Sequence, residues 1–280
     1  MKVAVIILNH NSYDDCCKCV SYLKQQKGIE LGLIIVDNNS LDQDKIEAFC
    51  QEVGCIFIAS PENRGYNAGN NIGLRYAEEQ GYEYAMIVNP DMEFPCEDYV
   101  AKLIGVIQGD SQVVIVGSDI IGGNGEHQNP LKRDGNWREA FYWIKDIFGY
   151  KKSTGVIDGC DYDHYCAKVN GCCLLVRMSF IRMIGYFDEY PFLYCEESIL
   201  SRQVERLGLR MFYTRSTYAI HRHIPSKKGD PIKRVQQWKR SRIYFINNYS
   251  GDTWVGKIIS ILSFSLYAWI FMFVKKRHVN

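Results

Sequence analysis

The sequence predicts an α/β protein built on a mostly parallel sheet flanked by helices. Two observations carry this. Five short apolar runs (residues 3–8, 33–36, 55–59, 84–88 and 113–116) alternate with helically spaced stretches (13–26, 43–53, 67–79 and 97–107). The runs are continuous and β-branched, as in strands buried on both faces. In such sheets ligands bind beyond the carboxyl ends of the strands. Three run ends are polar and acceptor-rich: Asn9-His10-Asn11, Asp37-Asn38-Asn39-Ser40 and Asn89-Pro90-Asp91. They predict one site at one edge of the sheet.

The rest of the chain is less regular. Residues 122–163 hold Gly, Asn and Pro, then Trp137, Phe141, Tyr142, Trp143, Phe148 and Tyr150. They read as a long, partly helical excursion near the site. A strand over 168–176, a helix over 178–184, a turn at 185–189 and a helix over 196–207 follow. Residues 210–213 and 217–221 read as two short strands.

Composition bounds the class. The chain has 280 residues, 47% hydrophobic and 23% charged, which excludes disordered, collagen-like and disulfide-miniprotein classes. A net charge of +1 argues against a whole-surface nucleic-acid binder. That balance hides an asymmetry. Residues 222–280 hold 12 Lys/Arg and 2 Asp/Glu, a net of +10, and residues 1–221 carry a net of −9. Such a tail predicts an anionic partner, a membrane surface or a nucleic acid. No secretory signal is read at the N-terminus, and the eleven cysteines are odd in number and lack a disulfide framework. A reducing, cytoplasmic setting is therefore expected. Cys16-Cys17-Lys18-Cys19 reads as a helix face.

Residues 258–274 form a 17-residue apolar run bracketed by Lys257 and by Lys275-Lys276-Arg277. This is at the lower limit for crossing a bilayer, where about 20 residues are usual. Lys257, Ser260, Ser263 and Tyr267 share one helical face. That polar stripe predicts a helix lying in the membrane interface. The alternatives are packing on the body of the protein or on a second copy.

Several residues could carry chemistry. Asp37 can accept from a base imide or a ribose hydroxyl, or cap the next helix. The stretch 63–73 is dense in Gly and Asn. It suits phosphate at a helix start, with Arg64 able to pair with a diphosphate, or it is a capped Gly-rich turn. Asp91 can place a hard oxygen on a divalent cation, or serve as a turn cap. Asp188, Glu189, Glu196 and Glu197 bring four carboxylates within ten residues. One could act as general base, and Glu196 and Glu197 also suit the start of a helix. His221 and His223 point the same way in an extended strand, as metal ligands or as a surface pair.

Taken in order, these pieces resemble the inverting, nucleotide-sugar-dependent glycosyltransferases of family 2, in the rhamnosyltransferase-like branch of bacterial surface polysaccharide synthesis. The elements are residues 5–11, 36–40, 63–73, 89–91, 170–173, 185–189, Glu196-Glu197 and His221. The resemblance implies a GT-A fold over residues 1–225, with a nucleotide-binding half (1–120) and an acceptor-binding half (121–225). Residues 226–280 would be a basic, apolar helical tail. It implies donor contacts from Leu8, Asn9, Asn11, Asp37, Asn39, Arg64, Gly65, Asn67, Asn89 and Asp91. Glu197 aligns with the catalytic base, with Glu196 and Asp188 as further acids. Asp91 and His221 would hold Mg or Mn. The sequence departs from the family pattern at Asn89 (usually Asp), Glu197 (usually Asp) and Ile199 (commonly Asp). The implied reaction moves a sugar from a UDP- or dTDP-sugar to a saccharide or lipid-linked acceptor, at the inner face of the cell membrane. The competing readings are a sugar-1-phosphate nucleotidylyltransferase and a non-catalytic nucleotide-sugar-binding subunit. The first expects a Gly-rich loop after the first strand, and Leu8-Asn9-His10-Asn11 has none.

Overall fold

The computed structural model describes residues 2–144, 155–157, 160–223 and 230–277. Phe148 and Tyr150 of the aromatic excursion lie outside these residues, as does most of the segment joining His223 to the tail. The elements are β1 (Lys2–Asn9), α1 (Tyr13–Leu23), β2 (Glu30–Asp37), α2 (Gln43–Val53), β3 (Ile56–Ala59) and α3 (Tyr66–Glu79). Next come β4 (Tyr84–Val88), β5 (Met92–Glu93), α4 (Tyr99–Gly109), β6 (Val113–Gly122) and a 3-10 turn at Trp137–Phe141. Then follow β7 (His164–Cys166), β8 (Cys173–Arg177), α5 (Met178–Met183), α6 (Glu196–Arg206) and β9 (Arg210–His221). Two long helices end the chain, α7 (Pro231–Asn248) and α8 (Trp254–Arg277).

The strand order is β3-β2-β1-β4-β8-β6-β9-β5, with β7 on β9. The first four are parallel, β8 is antiparallel to both neighbours, and β6 and β9 are parallel. Continuous apolar strands are what this arrangement requires, because helices cover both faces. Along β1, Val3, Val5 and Ile7 pack with α1, α2 and α4, while Ala4, Ile6 and Leu8 pack with α3, α5 and α6. Alternate side chains of one strand thus enter two cores. A Cβ at Gly69 or Gly73 would lie 2.4 Å from Leu8 Cδ1 or 2.5 Å from Ile6 Cγ2, so α3 rests directly on β1.

The strand expected over 168–176 is confined to β8, and the short strands β5 and β7 were not expected. Two further features differ from the sequence expectation. The expected strands at 210–213 and 217–221 are one strand, β9, with a bulge. Thr214 pairs with Ser118 and Tyr218 with Asp119, so the residues between them are displaced. Asp163 fixes that bulge by accepting from Thr214 Oγ1 (2.9 Å) and the Arg215 N–H (2.7 Å).

The second difference is the orientation of α8. Its polar stripe faces inward. Ser260 and Ser263 are buried, and Ser263 Oγ donates to Ala140 O (2.7 Å) and accepts from Trp143 Nε1 (2.9 Å). Lys257 Nζ donates to Asn247 O (2.7 Å), and Tyr267 packs on Trp143 and Trp238. Ile261 and Phe264 also turn inward, onto Phe245 and Ile246 of α7. The outward side is apolar: Ile258, Leu262, Leu266, Trp269 and Phe273 are all exposed. The stretch Trp254–Lys275 is long and apolar enough to cross a membrane by length and composition, with 22% of its apolar window buried.

Candidate active site

An open cleft of about 620 Å³ lies at the carboxyl edge of the sheet. Asn89 after β4, Gly171 and Cys172 before β8, the start of α6, the end of β9 and one face of α7 line it.

One wall carries two acids. Glu196 and Glu197 form the first turn of α6, where the helix dipole favours negative charge. Tyr194 and Cys195 before them both adopt left-handed backbone, at φ 76° and 69°. The two acids are treated differently. Glu197 Oε1 accepts the Gly171 N–H (3.2 Å), and a Cβ at Gly171 would sit only 3.2 Å from that oxygen. Glu196 Oε1 is buried with no hydrogen-bond partner. Burial first, and the neighbouring Glu197 charge second, push the Glu196 carboxyl well above the ordinary range. Tyr66 braces this wall by donating to Gly171 O (2.8 Å).

At the other end, β5 pairs with β9, with Met92 opposite His221, and the Arg222 N–H donates to Asp91 O (2.9 Å). That register brings Asp91, His221 and His223 together, with one donor atom from each all within 4.8 Å of one another. Arg222 turns the other way and pairs with buried Glu93, which also takes Lys18. His221 Nδ1 meets Gln128 Oε1 at 2.8 Å, so the ring donates there and turns Nε2 toward Asp91, 3.3 Å away. Asp91 Oδ1 and His221 Nε2 are both buried without a hydrogen-bond partner. Burial alone would raise the Asp91 carboxyl. The approach and charge of His221, with His223, outweigh it and hold Asp91 below its ordinary value. One carboxylate and two imidazoles with two orphaned, facing atoms fit a divalent cation.

The other residues named from sequence fall in different places. Leu8, Asn9 and Asp37 are buried. Asp37 is a brace: Asn9 Nδ2 donates to its Oδ1 (2.8 Å) and the Ser40 N–H to its Oδ2 (2.9 Å). It is fully buried rather than open to a nucleobase or ribose. Asn11 and Asn39, both at positive φ, stand exposed at the strand ends. Gly65 begins α3 at φ 103°, and its missing Cβ admits Phe192 O. Asn67 Nδ2 donates to Asp188 O (2.8 Å). Arg64, expected on a diphosphate, instead pairs with Glu189 (3.0 Å) and Glu62 and does not line the cleft. Asp188, expected among the catalytic acids, is engaged elsewhere. Its carboxylate receives the hydroxyls of Tyr244 (2.7 Å) and Tyr249 (2.6 Å) and the Tyr190 N–H.

Sequence reasoning missed the α7 face of the cleft. Arg234, Trp238 and Arg242, four residues apart, all line it. Their spacing was the available signal. Arg242 is fixed by Asp134, whose carboxylate holds Arg242 Nη1 (2.9 Å) and Lys168 Nζ (2.8 Å). Lys168 also approaches Ser198 Oγ (3.3 Å) on α6.

The profile described as Glycosyl transferase family 2 matches residues 4–180. The chain belongs to this family. A low-salt glycan biosynthesis hexosyltransferase of Haloferax volcanii is 24% identical over 78% of this chain and 66% of its own length. An N-acetylglucosaminyl-diphospho-decaprenol L-rhamnosyltransferase of Mycobacterium tuberculosis is 29% identical over 31% of this chain and 28% of its own. The chain thus spans just under two thirds of the first relative and less of the second. Among solved structures, GalNAc-T7 with UDP, GalNAc and Mn2+ matches 88% of this chain and 47% of its own, with a TM-score of 0.64 and 12% identity. That likeness shows the fold, which is the GT-A type expected from the sequence.

The Asp134 cluster gives a test of how the cleft is held. Burial alone would raise the Asp134 carboxyl, but Lys168 and Arg242 outweigh it and lower it from 3.8 to about 2. The folded protein therefore takes up this proton less readily than the unfolded chain. The contribution is full above the ordinary value and fades as pH falls from 3.8 toward 2. Asp134→Asn should cost about 2–3 kcal/mol at pH 7. In urea unfolding the gap to wild type should narrow only below pH 4. A gap that is constant with pH would show that the pairing is not its source.

Proposed function

We propose that this protein transfers a sugar, with inversion, from a UDP- or dTDP-linked donor to a hydroxyl of a saccharide or lipid-linked acceptor in surface polysaccharide synthesis. One observation carries the reading: the paired-acid start of α6 and the two histidines of the Asp91-His221-His223 cluster line one cleft. The family membership, and relatives named as a hexosyltransferase and a lipid-diphosphate rhamnosyltransferase, support it.

The chemistry follows from the two acids. Glu196 keeps its proton because it is buried beside another acid. Glu197 is the acceptor left to take the proton from the attacking hydroxyl. The acceptor oxygen bonds to the anomeric carbon as the bond to the donor diphosphate breaks, and the leaving diphosphate departs from the opposite face. Asp91, His221 and His223 would hold a divalent cation, Mg or Mn. When bound, it supplies charge that neutralises the leaving diphosphate. Of those two, imidazole ligands suit Mn better than Mg, which takes oxygen ligands.

The tail supports work at the cytoplasmic face of a membrane. The outward apolar stripe of α8 supplies burial. On α7, Lys233 and Arg240 are exposed and Lys239 half-buried, while Arg234 and Arg242 turn into the cleft. Each basic residue near an anionic surface adds about 1 kcal/mol.

Three outcomes test the reading. Glu197→Gln should cut transfer by about 100-fold or more while donor binding is retained. Glu196→Gln should cost far less, because an amide resembles the protonated acid. A reversal of that order would make Glu196 the base.

Asp91→Ala should abolish Mn2+-dependent binding of UDP, and His221→Ala or His223→Ala should weaken it about tenfold or more. Full wild-type turnover in excess chelator would remove the metal from the reaction.

Leu262→Ser combined with Trp269→Ser should abolish sedimentation with anionic phospholipid vesicles and leave the unfolding midpoint unchanged. Phe264→Ser, on the inward side, should lower that midpoint. Undiminished sedimentation of the double variant would exclude the outward stripe as the membrane contact.

A further inference from the structure

Arg234, Trp238 and Arg242 recur every four residues along α7, so they form one stripe, and all three line the cleft that holds Glu197. Trp238 is held edge-on by two rings of α8, Phe264 (5.4 Å, 87°) and Tyr267 (5.6 Å, 76°). A braced indole on a cleft wall is a flat apolar platform of fixed orientation. Arg242 is locked against the Phe245 and Phe264 rings and against Asp134. Asp134 serves Lys168 as well, so one carboxylate meets two cations and the wall keeps net positive charge. Arg234 differs. Its Nε is buried and has no hydrogen-bond partner among the described residues. A desolvated guanidinium donor beside a sugar-sized platform is poised for an anion.

We propose that this stripe is the acceptor subsite and that it selects an acceptor sugar carrying a phosphate or diphosphate, with the sugar ring on Trp238 and the anion on Arg234. The proposal rests on the glycosyl-transfer reading, in which the leaving diphosphate belongs at the Asp91 end and the α7 wall is left for the acceptor. The anion site and the outward apolar stripe of α8 are then both supplied by the C-terminal helices. A lipid diphosphate-linked sugar combines the two chemistries.

Calorimetric titration of the full chain tests this with three probes: octyl-diphospho-N-acetylglucosamine, octyl N-acetylglucosaminide and UDP with Mn2+. The wild type should bind the diphosphate probe about tenfold or more tightly than the neutral glycoside. Arg234→Gln should erase that preference and leave binding of UDP with Mn2+ unchanged. Trp238→Ala should weaken both glycosides about tenfold, and Trp238→Phe should restore most of the loss. Equal or absent binding of the two glycosides by the wild type would overturn the proposal. So would a preference that survives Arg234→Gln. Loss of UDP binding in Arg234→Gln would assign the arginine to the donor instead, which also overturns it. If UDP, GDP and dTDP all fail to bind the wild type while the glycosides are still discriminated, the transfer reading fails and the subsite stands.

Discussion

The cleft depends on one half-buried carboxylate. Asp134 sits between Lys168, from the turn before β8, and Arg242 of α7, and its backbone oxygen accepts from Arg202 of α6 (3.1 Å). Four segments far apart in sequence therefore meet at one residue. Burying two cations and an anion is costly unless the geometry satisfies them. Here both carboxylate oxygens are used, and Lys168 also finds Ser198. Removing the anion would leave two cations in a half-dry wall. The start of α6 and the inner face of α7 are tied through this centre, so the acids and the α7 stripe hold their positions together.

That rigidity explains how two adjacent glutamates can serve different ends. Consecutive residues on a helix point in different directions, and only one of these reaches Gly171. Glu197 gains a backbone N–H, while Glu196 enters a pocket wall with an unpartnered oxygen. The left-handed backbone at Tyr194 and Cys195 is a strained way to enter a helix, and it persists because the surroundings fix it. The contrast between the acids thus arises from burial and one hydrogen bond, not from residue type. The longer side chain at 197, a departure from the family pattern, is met by a glycine whose missing Cβ leaves it room.

Much of the fold was legible because the sheet is buried on both sides. Runs such as residues 3–8 and 84–88 are too short for ordinary helices and too continuously apolar for strands with one face in water. The polar strand ends were legible as an edge, but not which of them stay open to ligand. Asp37 reads as a ligand contact until the register sets it opposite Asn9, whose amide then claims it. Asp188 and Arg64 are alike: their partners, Tyr244, Tyr249 and Glu189, lie 56 to 125 residues away. Pattern within a segment cannot reveal a partner that only the tertiary fold supplies. The β9 bulge was hidden for the same reason, since Asp163 holds it from outside the strand.

The C-terminal helix shows the same limit from another side. A helical wheel separates Ser260, Ser263 and Tyr267 from Leu262, Leu266, Trp269 and Phe273, but it does not say which side is inside. In a water-soluble helix the apolar side would turn in. Here the serines turn in because the 3-10 turn presents a carbonyl, at Ala140, and Trp143 presents an indole N–H, and both need partners. Small serines satisfy them and allow close packing. The apolar side is then left facing out, an arrangement that water disfavours and lipid favours. The same division runs through α7, whose arginines at 234 and 242 enter the cleft while Lys233 and Arg240 stay outside. The positive charge concentrated beyond residue 221 therefore serves two surfaces, and its total says nothing about how it is divided between them.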